Sequence, residues 1–260
     1  MTPVPVRVDG LSVAYGHFLA LSDLTVAIPT GLIVGVVGPN GAGKTTLLNA
    51  ISGFARASAG RIEINGIEMQ GWDTVRRARA GVVRGFQTVR LMERESVLTN
   101  VLVGAERLPQ PWALTQLLAL PSQWRVRRRD MQSARYIIQL LGLSPFEQRR
   151  VNELPFASRR LVEVARVLLS SPPLILLDEP AAGLDQQGRQ DLAGVLAQVH
   201  EQHPSTLVVV EHDVDLVKRL CHHAIALDSG SLITTGTPAD VFADPRVQLA
   251  YFGKVADALS

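Results

Sequence analysis

The segment GPNGAGKTT, residues 38–46, constrains this chain more than any other. Gly38, Gly43, Lys44 and Thr45 satisfy G-x-x-x-x-G-K-[ST]; the apolar run Ile33 to Val37 stands just before them, and a helical pattern from about Gly43 to Ser52 follows. Strand, glycine-rich loop and helix in that order form the context in which backbone N–H groups cradle a triphosphate. Gly38, Gly41 and Gly43 would let those groups close in without a Cβ in the way, and the helix N-terminus adds the positive end of its dipole. Lys44 would reach the β- and γ-phosphates, and the Thr45 hydroxyl would ligate Mg²⁺. Asn40 and Thr46 complete the candidate nucleotide-binding loop.

A second apolar run, Leu174 to Leu177, ends in Asp178-Glu179-Pro180. Open parallel sheets bind ligands at the C-terminal ends of their strands, which is where this places two carboxylates. Asp178 is the candidate Mg²⁺ group and Glu179 the candidate base that polarises a water for in-line attack. Alone, such a pair also reads as a helix N-cap. A third run, Thr206 to Val210, leads into Glu211, His212 and Asp213. A histidine there can contact a γ-phosphate, although His212 followed by Asp213 also reads as a helix start. His222 and His223 read as late helical residues with a structural role, since no carboxylate or cysteine set at metal-ligand spacing accompanies them.

At 260 residues with 47% hydrophobic and 19% charged residues, the chain can bury a large core, and disorder is excluded. Lys+Arg 26 against Asp+Glu 24 is too balanced for a nucleic-acid partner. No apolar run approaches the roughly 18 to 20 residues of a membrane span. The single cysteine, Cys221, and an N-terminus without a basic-then-apolar leader fit a reducing cytoplasm. The arginines at 125, 127, 128 and 129 read as a solvated helix face, or as a contact for phosphates or acidic lipid headgroups.

Short apolar segments at Val6 to Val8, Leu11 to Val13 and Leu24 to Ile28, with a hairpin signal at Asn65-Gly66, predict an antiparallel layer. From about Leu91 to Gln148 the pattern is mostly helical and reads as an inserted subdomain. Its apolar concentration from Trp112 to Trp124 reads either as core or as a docking groove. A helix at Leu161 to Leu169 and another near Gln186 to His200 then alternate with strands, the pattern of a parallel α/β sheet. The expected division is residues 1–90 for the N-terminal β layer and phosphate-loop half, 91–160 for the helical subdomain, and 161–260 for the second half and tail.

Together these residues resemble the ATP-binding cassette (ABC) ATPases that power membrane transporters, over nearly the whole chain. The resemblance implies an α/β P-loop cassette with an N-terminal antiparallel layer, a parallel-sheet core and an inserted helical subdomain. It gives Tyr15 the role of stacking on adenine, Gln87 that of joining Mg²⁺ to the helical subdomain and sensing the permease, and His212 that of the switch histidine. AAGLD, ending at Asp185, matches the loop that crosses the dimer interface. RGFQTVRLM, EPAAGLD, VVVEHD and the ending GTPADVFADPRVQLAYFG resemble the branched-chain amino acid importer subgroup. That subgroup implies ATP and Mg²⁺ as cofactors, a permease pair, a second ATP-binding subunit, indirect work with a solute-binding protein, and a place on the cytoplasmic face of the membrane. Other ABC systems for urea, amides or lipids, and a soluble ABC ATPase, are the alternatives.

One stretch departs from the family. Where LSGGQ or LPYGQ is usual, this chain has Leu154, Pro155, Phe156, Ala157 and Ser158. That segment starts a helix facing the γ-phosphate held by the opposite subunit, so Ala157 and Ser158 are expected to weaken the shared site. An asymmetric pair with a different second subunit follows as the favoured arrangement, with a homodimer as the alternative.

Overall fold

The computed structural model describes residues 5–85, 91–105 and 121–253. They fall into two compact units, each described by itself: residues 1–84, 172–180 and 196–260, and residues 85–171 and 181–195.

The first unit is built on two sheets. Strand β1 (Val6–Tyr15) pairs antiparallel with β2 (Phe18–Ile28) and with β4 (Ala59–Ile64), and β4 turns through Asn65-Gly66 into the short β5 (Ile67–Glu68). The two segments read as separate strands, Val6 to Val8 and Leu11 to Val13, are one strand. Register shifts after Val8, beside Gly10 at φ +58°, absorb the irregularity as a bulge and keep the apolar residues on one face.

The other sheet runs β10-β9-β3-β8-β7-β6: β10 (Ser231–Gly236), β9 (His223–Asp228), β3 (Ile33–Val37), β8 (Thr206–Val210), β7 (Leu174–Asp178) and β6 (Val82–Gly85). Strands β3, β7, β8 and β9 are mutually parallel and β10 is antiparallel to β9. Every residue of β3, β7 and β8 is buried, so these strands read as continuous apolar runs without alternation. Helix α1 (Lys44–Ser52) contributes Leu47, Leu48 and Ile51 to a core shared with Val8, Leu11 and Leu24 of the antiparallel layer and Val34, Leu176 and Val208 of the parallel sheet. Arg77, on α2 (Thr74–Arg79), is buried because its guanidinium donates to the carbonyls of Ala50, Ile51 and Met69.

The second unit packs three helices: α3 (Val97–Leu102), α4 (Pro121–Leu140) and α5 (Phe156–Ser170). Val101, Ala134, Ile138, Val162 and Ala165 are buried there. Fully buried Asn100 ties the segment before α3, accepting from the Met92 N–H and donating to the carbonyls of Met92 and Ser96. Helix α5 begins five residues earlier than the periodicity implied, because Pro155 with its fixed φ is suited to lead a helix in.

Helix α6 (Gln186–Gln202), helix α7 (Val214–Leu220) and a tail of short helices, α8 (Pro238–Ala243) and α9 (Pro245–Gln248), complete the order. His222 and His223 do not lie in a helix. Helix α7 stops at Leu220, and His223 opens β9, where pairing with β3 takes over. Their rings are structural: the Ile33 N–H donates to His222 Nδ1 at 3.1 Å, and His223 Nε2 lies 2.5 Å from Thr235 Oγ1. Gln87 and residues 112–120 of the apolar concentration lie outside the described residues. Arg128 and Arg129 are exposed on α4.

Candidate active site

Strands β3, β8 and β7 stand side by side and point the same way, so the residues that follow each of them collect along one edge of the sheet. The phosphate loop leaves β3, Asp178 and Glu179 end β7, and His212 follows β8.

Each glycine of the loop has its own reason. Gly38, Gly41 and Gly43 all have positive φ, at +146°, +82° and +96°. A Cβ on Gly38 would lie 2.1 Å from the Leu227 carbonyl oxygen, and one on Gly43 would lie 2.7 Å from Leu21 Cδ2 and 2.8 Å from the Ala20 carbonyl oxygen. At these two positions the protein itself excludes a side chain. Gly41 faces open space and is required by its backbone angle alone. Gly43 is also the N-cap of α1 and offers no side-chain cap, and no acidic residue stands in the first turn. The dipole end is thus left for an outside anion.

Lys44 is 5% exposed, and its Nζ donates to the carbonyls of Gly38 at 2.7 Å and Pro39 at 2.8 Å. Burial lowers its pKa below the ordinary lysine value, against the carboxylates of Glu179 and Asp178, which raise it. A buried ammonium whose hydrogen-bond partners are neutral carbonyls is suited to an anionic ligand. Asn40 is exposed at the tip of the loop, and Thr46 lies in the first turn of α1.

Thr45 Oγ1 lies 3.3 Å from Asp178 Oδ1, so the hydroxyl and carboxylate singled out in sequence meet. The other carboxylate oxygen, Oδ2, is held by Arg84 Nη2 at 2.9 Å in a buried ion pair. Arg84 also donates to Asn49 Oδ1 on α1. Burial pulls the guanidinium below the ordinary arginine value, and Asp178 partly offsets this. Sequence reasoning missed Arg84. The available signal was a lone arginine inside the strand-forming run of β6, which had to be paired if buried. Hydroxyl and carboxylate oxygens form the hard donor set that Mg²⁺ takes alongside phosphate oxygens.

Glu179 has φ +51°, a left-handed conformation for a residue with a Cβ, and its N–H donates to the Val210 carbonyl at 2.9 Å. Such a conformation costs on the order of 1 to 3 kcal/mol and persists where surrounding structure imposes it. It turns the chain sharply after Asp178, so the two carboxylates part: Asp178 is buried and Glu179 stays open to water. Glu179 Oε1 lies 2.7 Å from His212 Nε2. The helix-start reading belongs to Asp213 instead, whose carboxylate accepts from the N–H groups of Asp215 and Leu216 and caps α7.

Tyr15 ends β1 and is half exposed, paired across the hairpin with the still more exposed Phe18. Leu154 to Ser158 and Asp185 lie in the second unit. There Leu154 is buried, Pro155 makes no side-chain cap, and Phe156 projects outward with Arg160 over its ring. Gly183 comes so close to this ring that a Cβ there would meet Phe156 Cδ1 at 3.1 Å, which joins the Leu154 to Ser158 stretch to AAGLD. Arg159 braces the segment by donating to the carbonyls of Leu154 and Asn152, and Asp185 accepts from the Gly188 N–H at the start of α6.

Residues 21–182 match the ABC transporter family model, and residues 231–257 match the model of the branched-chain amino acid ATP-binding cassette transporter. The chain is 34% identical to the high-affinity branched-chain amino acid transport ATP-binding protein BraF of Pseudomonas aeruginosa over 96% of this chain and 98% of that protein. It is 32% identical to LivG of Escherichia coli with the same coverage. Among solved structures, MJ1267, an ATP-binding cassette of an ABC transporter, superposes with a TM-score of 0.79 at 28% identity, covering 96% of this chain and 99% of that one. Its ADP conformation gives a TM-score of 0.78 at 27% identity, covering 97% and 100%. A phosphate loop on β3, a carboxylate pair on β7 and a histidine after β8 occur together on this fold, and the chain belongs to the ATP-binding cassette ATPases of ABC transporters.

Proposed function

We propose that this chain is the ATP-hydrolysing subunit of a bacterial ABC importer for branched-chain or related amino acids, seated on the cytoplasmic face of the membrane against a permease pair. The observation that carries the reading is the tail: residues 231–257 match the branched-chain group, beyond the part that ABC transporters share. The full-length likeness to BraF and LivG supports it. Among the described residues no helix is long and apolar enough to cross a membrane, so transport needs a partner that does.

In this mechanism Lys44 exchanges its two carbonyl partners for the β- and γ-phosphate oxygens, beside the N–H groups of the loop. Thr45 and Asp178 would hold Mg²⁺, which when bound neutralises charge on the transferring phosphoryl group; Gln87 joins them on the resemblance alone. Glu179, open to water, takes the proton as water oxygen attacks the γ-phosphorus, and the bond to the ADP oxygen breaks with its electron pair leaving on ADP. His212, hydrogen-bonded to Glu179, keeps that carboxylate aimed. Tyr15 receives the adenine ring.

The partner contributes the other half of a shared site, and this chain offers its partner Leu154 to Ser158 and Asp185. Ala157 and Ser158 weaken that offer, which favours a different second ATP-binding subunit over a homodimer. The test is recovery of a Glu179→Gln variant with Mg-ATP from native membranes. A hydrophobic permease pair and a second cassette protein support the reading, and recovery of the chain alone or with ribosomes or DNA discards the importer. In the assembled transporter, Ala157→Gly with Ser158→Gln should raise turnover several-fold; unchanged turnover removes the asymmetry.

A further inference from the structure

The tail that identifies the subgroup also touches the nucleotide loop. Gly38 is the first residue beyond β3, it is buried, and its N–H donates to Tyr251 Oη at 2.7 Å across a sequence separation of 213 residues. We propose that Tyr251 is a positioning residue for the phosphate loop, its hydroxyl holding the Gly38 N–H so that the loop keeps the shape that receives the triphosphate.

Three contacts fix Gly38. Its N–H is taken by Tyr251, its carbonyl accepts from Lys44 Nζ at 2.7 Å, and its Cα is seated against the Leu227 carbonyl. Further along the loop, the Ala42 N–H donates to the Pro39 carbonyl at 3.2 Å, and the Ala42 carbonyl accepts from Gly230 at 3.1 Å. The entry and the middle of the loop are therefore tied to different parts of the chain. The entry tie is made by a side chain, and Lys44 must give up the Gly38 carbonyl to reach phosphate. When it does, the Tyr251 hydroxyl is the remaining hydrogen bond on Gly38 and holds the loop's entry through the exchange.

The tail is built to deliver that hydroxyl. Thr237 caps α8 by accepting from the Asp240 N–H, and Asp244 caps α9 while paired with Arg246. Val241 and Val247 anchor the two short helices in the core. The Tyr251 ring meets Phe242 edge-on, with centroids 6.4 Å apart, and Lys218 of α7 stands over Phe242 at 5.6 Å. Burial raises the phenol above the ordinary tyrosine value, so it stays neutral across the working pH range. A hydroxyl delivered by ordered neighbours costs little further ordering when nucleotide binds.

The inference rests on this loop binding nucleotide, and it adds a residue that no motif of the loop contains. Removing the hydroxyl leaves a buried N–H without its acceptor, and the loop then relaxes toward shapes that satisfy it elsewhere. Apparent affinity falls with the fraction of competent loop. In the full-length chain, Tyr251→Phe keeps the ring against Phe242 and deletes only the oxygen. It should raise the Kd for a fluorescent ATP analogue, and the KM for ATP, by about 5- to 30-fold, with most of the loss in KM and not in kcat. The melting temperature should stay near that of the wild type, and hydrogen exchange at the Gly38 amide should accelerate. Tyr251→Leu, which also loses the ring, should bind no better than Tyr251→Phe. Wild-type Kd in Tyr251→Phe with weakened binding only in Tyr251→Leu would assign the tail a packing role and overturn the proposal. So would a Tyr251→Phe loss confined to kcat. Lys44→Ala serves as the reference: if it binds as tightly as the wild type, the nucleotide reading of the loop fails, whereas a Lys44→Ala defect beside a normal Tyr251→Phe refutes this inference alone.

Discussion

Replacing Arg84 by methionine tests how the first unit holds the Asp178 carboxylate. The Arg84 and Asp178 side chains are 3% and 7% exposed and meet at 2.9 Å, and Arg84 also bonds to Asn49 of the helix that follows the phosphate loop. Methionine fills most of the volume but leaves the Asp178 carboxylate buried with its counter-ion gone. Removing one partner of a buried pair costs about 3 to 5 kcal/mol, because the remaining charge has lost both its water and its ion. At about 2 to 4 °C per kcal/mol for chains of this size, the melting temperature should fall by about 6 to 20 °C. Adding Asp178→Asn removes the stranded charge, so the double variant should be more stable than Arg84→Met alone. Urea melts of the wild type, both single variants and the double variant give the coupling, which should be about 2 kcal/mol or more. An additive double variant would falsify the ion-pair argument and leave Arg84 acting through its neutral partners on α1, Asn49 and Ser52. Arg84→Lys, which keeps charge but loses the fork, should fall between wild type and methionine.

Three further outcomes follow from the same geometry. Glu179→Gln should retain nucleotide affinity while single-turnover phosphate release drops by about 10²-fold or more, and an undiminished rate removes Glu179 as the base. Gly38→Ala places a Cβ 2.1 Å from a backbone oxygen that cannot swing away, so both thermal stability and nucleotide binding should be lost; a variant with wild-type melting and Kd refutes the steric reading. Burial holds His200 and His223 below the ordinary histidine value of 6.5. As pH falls below that value, the unfolded chain takes up protons before the folded one, so the stability these rings contribute is present above it and is lost on acidification through their folded pKa. His200 lies 2.9 Å from the Ser205 carbonyl, and His200→Gln, which can still donate to it, should flatten the fall in melting temperature between pH 7 and 5.

The loop GPNGAGKTT, the runs ending in Asp178-Glu179 and His212, and the Asn65-Gly66 hairpin were legible because each is encoded locally. A glycine pattern, an apolar run or a turn dipeptide acts over a few residues, and neighbours in sequence suffice to state it. Strand alternation likewise disclosed the antiparallel layer, although the β1 bulge was read as a break because pairing partners on two sides keep the strand together. His222 and His223 were misplaced for the same reason: pairing with β3, about 190 residues away in sequence, ends the helix before them.

Only the tertiary structure decided which groups complete the site. The strand order put β8 between β3 and β7, bringing Glu179 within 2.7 Å of His212. It buried Arg84 against Asp178 and brought Tyr251 from the tail to Gly38. No local signal announces these partners, since an arginine or tyrosine carries no mark of what it will touch. A charge or a buried N–H acquires its partner when folding removes water from it, and the sheet order determines which group is nearest at that moment.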